Sequence, residues 1–144
     1  MYSKIVVPLD SSEIAEQALS HAAEIARRFE AELELLTVVP ASPDDGFPHD
    51  GPGDEWDPRT LEAQEYVEAV AGRLREDGIK ATTSFRRGDV AEEILAHTRD
   101  TECDLIVMCT HGRSGRGRWV YGSIADRTLR YATVPVLLVR AAEE

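Results

Sequence analysis

Apolar residues recur along this 144-residue chain in two alternating rhythms. Five short stretches, Lys4 to Leu9, Glu32 to Val39, Ile79 to Phe85, Leu105 to Cys109 and Val134 to Val139, are too brief for helices and carry many β-branched residues, which predicts strands. The fourth is unbroken, LIVMC, and reads as a central strand buried on both faces. The third alternates Lys80, Thr82 and Ser84 with Ile79, Ala81, Thr83 and Phe85, which suits an edge. Pro135 cannot donate to a ladder, which puts it at the start of the last strand or on an edge.

Between the strands the period lengthens to that of a helix. Ile14, Ala18, Leu19, Ala22, Ile25, Ala26 and Phe29 trace one buried face, and Leu61, Tyr66, Val67, Val70 and Leu74 a second that ends at Gly78. Val90, Ala91, Ile94 and Leu95 line a third helix, and Ile124, Thr128, Leu129 and Tyr131 a fourth. Helix starts are marked by Asp10-Ser11-Ser12-Glu13, by Asp57-Pro58, by Asp89 with Glu92, and by Ser123 as N-cap with Asp126 three residues later. Strict alternation of strand and helix with right-handed crossovers predicts an α/β fold, an open five-stranded parallel sheet with helices on both faces. Residues 41–57 break the rhythm with Pro43, Gly46, Pro48, Gly51, Pro52 and Gly53, a mobile loop beside the sheet edge. Phe47 and Trp56 serve there either as a lid or as anchors to the core.

Length bounds the chain to a single domain over 1–144 that buries roughly two-thirds of its unfolded surface and needs no staples. Acidic residues outnumber basic ones 27 to 16, a net charge of −11 that disfavours nucleic acid and anionic membranes as partners. Only Lys4 and Lys80 are lysine, a composition that fits a salt-loving source as well as an acidic mesophile. No apolar run reaches membrane-span length and MYSKIVVPLD has no signal-peptide layout, so a cytoplasmic location is the expectation. Cys103 and Cys109 fall on one predicted strand, where a rise of about 20 Å forbids a mutual bridge. Reduced core cysteines are expected. His21, His49, His97 and His111 are scattered singly, with no metal-ligand spacing and no nucleophilic triad.

The exception to the acidic surface is Thr110 to Ser123, with Gly112, Gly115 and Gly117 interleaved with Arg113, Arg116 and Arg118 before Gly122-Ser123. A buried strand, a glycine loop and a helix start together suit an anion: glycine lets the backbone come close, and the helix offers amides and the positive end of its dipole. A solvated, flexible Gly/Arg loop is the other reading. The Walker loop is absent and the glycine spacing is wrong for a dinucleotide fingerprint.

Thr110-His111-Gly112, followed by nine residues and then Gly122-Ser123, resembles the nucleotide-binding members of the universal stress protein family, which carry G-x-x-G, nine residues and G-[S/T]. The chain departs from that pattern at the first glycine, which here is Cys109; its Cβ and sulfur are expected to crowd the ribose at a cost of about 1 to 2 kcal/mol. The resemblance implies strand order 3-2-1-4-5, a homodimer through the last strand, and ATP at the switch point between the first and fourth strands. It further implies that Pro8, Leu9 and Asp10 flank the site and that Val38 offers backbone contacts to adenine. Met108, Cys109 and His111 then line the ribose and phosphate side, and Gly112, Gly122, Ser123 and Ile124 hold the phosphates. Asp10, which from position alone is an N-cap or a polar contact at the sheet edge, would stand near a triphosphate where a carboxylate helps hold Mg²⁺. His111 is read as a loop-structuring or phosphate-contacting residue before a general base. Three functional classes follow: a nucleotide-binding regulatory module of the stress response, a slow ATP-hydrolysing enzyme, and a dimeric interaction protein that has lost nucleotide.

Overall fold

The computed structural model describes residues 1–10, 13–39, 58–110 and 122–140. Within them the elements are β1 (Lys4–Pro8), α1 (Glu13–Phe29), β2 (Glu32–Val39), α2 (Pro58–Glu76), β3 (Lys80–Arg87), α3 (Val90–Asp100), β4 (Leu105–Cys109), α4 (Ser123–Tyr131) and β5 (Val136–Val139). All strand pairs are parallel, in the order β3-β2-β1-β4-β5. The expected loop at 41–57 with Phe47, Trp56 and the Asp57 cap, the Ser11-Ser12 cap, and the glycine and arginine positions from His111 to 121 lie outside the described residues.

Pleat and helix period meet in two cores. Ile5 and Val7 of β1, Leu33 and Leu35 of β2, and Leu105, Val107 and Cys109 of β4 face α1 and α2. Val6, Leu36, Ile106 and Met108 face α3 and α4, which contribute Ile94 and Ala125. Both faces of β1 and β4 are therefore apolar, the reason these strands read as continuous runs. On α1 the buried stripe is alanine: Ala15, Ala18, Ala22, Ala23 and Ala26, whose small side chains let the helix lie close on the sheet.

Several boundaries and burials differ from expectation. β3 runs on to Arg87, because Arg86 and Arg87 still pair in register with Val38 and Val39. β5 starts only at Val136, and Pro135 precedes it with its carbonyl accepting from the Ile106 amide at 3.0 Å. Cys103 lies before β4 rather than on it, and both cysteines are buried and unbridged. Leu61 and Phe29, assigned to buried faces, are each 43% exposed, Phe29 standing edge-on to Tyr2 with ring centroids 5.3 Å apart. On α3 the buried residues past Ile94 are His97 and Thr98, and Leu95 is half-buried. Asp89 does cap α3, accepting from the Glu92 amide at 3.0 Å.

No described helix is long and apolar enough to cross a membrane. The helix surfaces carry exposed ion pairs such as Arg28 with Glu24 and Arg130 with Asp126, which solvent screens and which contribute little to stability. Self-repulsion from a net charge of −11 is the larger surface effect, and salt screens it. The melting temperature is therefore expected to rise between roughly 0.05 M and 1 M salt, as the Debye length falls from over 10 Å to about 3 Å. A flat or falling melting temperature across that range removes the salt-adapted reading.

Candidate functional site

At the carboxyl end of the sheet, β1 and β4 are neighbours whose connections leave in opposite directions, β1 leading toward β2 and β4 toward β5. Open α/β sheets bind ligands at such a reversal. Pro8 closes β1 half-buried, Leu9 follows buried with its amide donating to the Leu36 carbonyl at 2.9 Å, and Asp10 is exposed. Val38 is half-buried near the end of β2. Met108 and Cys109 end β4, both buried.

The start of α4 is tied to the same place. The Gly122 amide donates to the Thr110 carbonyl at 2.8 Å, while the Thr110 amide donates to the Val139 carbonyl at 3.0 Å. The helix is thus pinned by its first residues to the ends of β4 and β5. Its N-cap is Gly122 and not Ser123, with no side-chain cap bond. Ser123 is the first helical residue, and the Asp126 carboxylate pairs with Arg130 at 3.0 Å instead of completing a capping box. The first intrahelical bond runs from the Asp126 amide to the Gly122 carbonyl, so the amides of Ser123, Ile124 and Ala125 precede it at the positive end of the helix. Ser123 and Ile124 are exposed and Gly122 is half-buried. His111 and Gly112 lie outside the described residues.

Cys109 differs from its expected setting. Its sulfur is turned under the first turn of α1, 3.8 Å from the Ala15 carbonyl. Burial, with the charge of Asp10 adding to it, pushes the thiol up to about 11, so near neutrality it is an un-ionised core group and no nucleophile. Cys109 sits in regular strand paired with Val139, and among the described non-glycine residues only Glu30 and Glu102 have positive φ. A glycine at this position is therefore not required by backbone conformation. Among the described residues no group of three or more His, Cys, Asp or Glu is arranged to hold a metal ion.

Two residues fix this edge. Thr110, part of the motif the sequence offered, joins β4, β5 and α4 through its backbone, and Arg127 of α4 bridges to Asp89 at 3.1 Å, holding α4 against the capped start of α3. Arg127 was not singled out by the sequence, since its partner is distant in the chain.

A five-stranded parallel sheet of this order, with a helix start pinned at its switch point, defines a Rossmann-like α/β protein. The sequence profile of the Universal stress protein family matches residues 1–140, and the chain belongs to that family. Universal stress protein MJ0531 of Methanocaldococcus jannaschii is 37% identical over 97% of this chain and 83% of its own length. Among solved structures, hypothetical protein MJ0577 superposes with a TM-score of 0.85 at 28% identity, covering 100% of this chain and 99% of its own. Two more distant structures share the fold: a universal stress protein in complex with cAMP, with TM-score 0.77, 19% identity and 98% and 99% of the two chains covered, and one from Archaeoglobus fulgidus in complex with dAMP, with TM-score 0.72, 22% identity and 95% and 97% covered.

Proposed function

We propose that this chain is an ATP-binding regulatory module of the stress response, its nucleotide held between the ends of β1 and β4 and the Gly112 to Ser123 loop. The observation that carries the reading is the 2.8 Å bond from Gly122 to Thr110, which sets the positive end of α4 beside the carboxyl end of β4 at the switch point. Fold relatives solved with cAMP and dAMP support an adenine nucleotide as the ligand class. In this arrangement Val38 offers backbone contacts to adenine beside Pro8 and Leu9, Met108 and Cys109 back the ribose with His111, and Gly112, Gly122, Ser123 and Ile124 take the phosphates. Asp10, exposed at the end of β1, would lend a carboxylate to Mg²⁺ carried by the nucleotide. ATP occupancy shifts the equilibrium of a cytoplasmic homodimer, and a partner reads the shift.

Mass spectrometry of small molecules released by denaturing the purified protein tests the reading directly. Adenine nucleotide in the released fraction, with little phosphate produced from added ATP, supports it. Steady phosphate release assigns the chain to the ATPases. No nucleotide, and no ATP binding by calorimetry, leaves the dimeric interaction protein.

With its sulfur packed under α1, Cys109 is expected to back the ribose without crowding it. Cys109→Gly is therefore expected to lower stability by about 2 kcal/mol, from lost burial plus glycine in a strand, while ATP affinity stays within about threefold. Thermal melts and calorimetry on the same variant check both halves. A tenfold gain in affinity would restore the crowding that the family pattern implies.

A further inference from the structure

The sheet face beneath α3 turns polar toward β3. Glu32 and Glu34 of β2 stand beside Thr82 and Ser84 of β3, with Thr82 donating to Glu32 at 3.1 Å and Ser84 donating to Glu34. α3 lays His97 onto this stripe, and the imidazole and the Glu34 carboxylate are both buried.

The hydrogen bonds define the state of the ring. Arg86 Nε donates to His97 Nδ1 at 3.0 Å, and a guanidinium can only donate, so Nδ1 carries a lone pair and the proton of the neutral ring is on Nε2. Nε2 lies 2.9 Å from Glu34 Oε1, its approach bent off the N–H direction. The ring is wedged between a cation of β3 and an anion of β2. Around them, Arg86 also reaches Glu93 at 3.1 Å and Asp100 at 2.7 Å on α3, Cys103 Sγ is 3.9 Å from Glu34 Oε1, and Lys4 of β1 is the further cation whose charge acts on Glu34.

Protonation of the ring has opposite effects on its two neighbours. An imidazolium has no lone pair at Nδ1 and repels the guanidinium, but it attracts Glu34 more strongly. The adjacent His97 ring chiefly, and the Ser84 hydroxyl further, hold the Glu34 carboxyl below its ordinary value despite burial, so it stays an anion in the range where imidazoles titrate. Displacing Arg86 strands no charge, because its two α3 carboxylates remain and Asp100 is 64% exposed.

We infer that Arg86, His97 and Glu34 form a proton-operated latch between β3 and α3: a proton taken from water at His97 Nδ1 releases the Arg86 guanidinium outward to Glu93 and Asp100, and the ring closes on Glu34. The latch uses none of the residues of the nucleotide reading, although Arg86 pairs in register with Val38. Its consequence is that on acidification Arg86 holds β3 to α3 through Glu93 and Asp100 alone.

Nuclear magnetic resonance of the isotopically labelled intact protein between pH 8 and pH 5 tests the latch. At pH 8 the His97 ring is expected as the neutral Nε2–H tautomer with the Arg86 Nε–H resonance displaced by its bond to Nδ1, and on acidification that resonance is expected to move together with the ring signals. His97→Gln keeps an acceptor for Arg86 and a donor for Glu34 but cannot charge, so its Arg86 Nε–H resonance is expected to be independent of pH. The inference is overturned if the Arg86 resonance moves with pH equally in His97→Gln, or if the ring charges while the Arg86 resonance stays where it was.

Discussion

Gly122→Val is expected to weaken ATP binding roughly a hundredfold or more, about 2.7 kcal/mol. Gly122 has φ −68° and ψ 159°, extended backbone open to any residue, so the turn itself does not call for glycine. What the position gains from lacking a side chain is close approach, and in the proposed site the group that approaches is phosphate. A branched side chain there blocks anion from amide while leaving the Thr110 bond and the helix in place. Losing the better N-cap costs stability by only about 0.5 to 1 kcal/mol, so the variant folds and the affinity loss is readable. Ser123→Ala removes a hydroxyl at the first helical residue and is expected to cost a further fivefold to tenfold, roughly 1 to 1.5 kcal/mol. Calorimetric titration of ATP into wild type, Gly122→Val and the double variant decides it. Equal affinities in all three would mean that the start of α4 does not hold the nucleotide.

The second large effect is expected at the β5 edge of the sheet. β5 is the edge strand beyond β4, and Val136, Leu137 and Leu138 are half-buried on an edge with no partner among the described residues. If this strand pairs with its copy in a second protomer, Leu137→Glu is expected to turn dimers into monomers in sedimentation, since a charge cannot be covered there. Leu137 also packs in part against the α1 layer, so lost folding is a competing outcome for that variant. Leu138→Pro separates the two. The carbonyls of Pro135 and Val139 bond to β4, which in a parallel ladder directs the backbone of Val136 and Leu138 to the open edge. Proline at 138 thus removes an outward N–H and leaves the β4 pairing whole. Dimers surviving both changes would place the interface elsewhere.

How much of this was legible without coordinates follows from the range of the forces involved. β2 and β4 were read to the residue, because a strand buried on both faces between polar brackets has no competing period. The Asp89 cap of α3 was equally legible, since cap and amide are three residues apart. The edge character of β3 came from its alternation, although its end did not: Arg86 and Arg87 look like loop residues until β2 is known to run beside them. The strand order and the switch point came from a resemblance carried by Thr110 to Gly112 and Gly122-Ser123, and neither composition nor period contains them.

By itself the sequence determined which segments are strands and helices and where glycines cluster between β4 and α4, consequences of local sterics and of a hydrophobic period repeated within one element, but not every buried face, since Phe29, Leu61, Leu129 and Tyr131 stand exposed. Tertiary structure alone decided that Gly122 and not Ser123 caps α4, because the cap is set by where Thr110 holds the chain. It turned Cys109 under α1, a direction that follows from which face of β4 meets which helix. It also converted His97, a lone histidine in the sequence, into the centre of a buried charge network by bringing Glu34 of β2 and Arg86 of β3 to its two ring nitrogens. Hydrogen bonds and charges act over a few ångströms in space and carry no period along the chain, so their partners become visible only when the sheet is assembled.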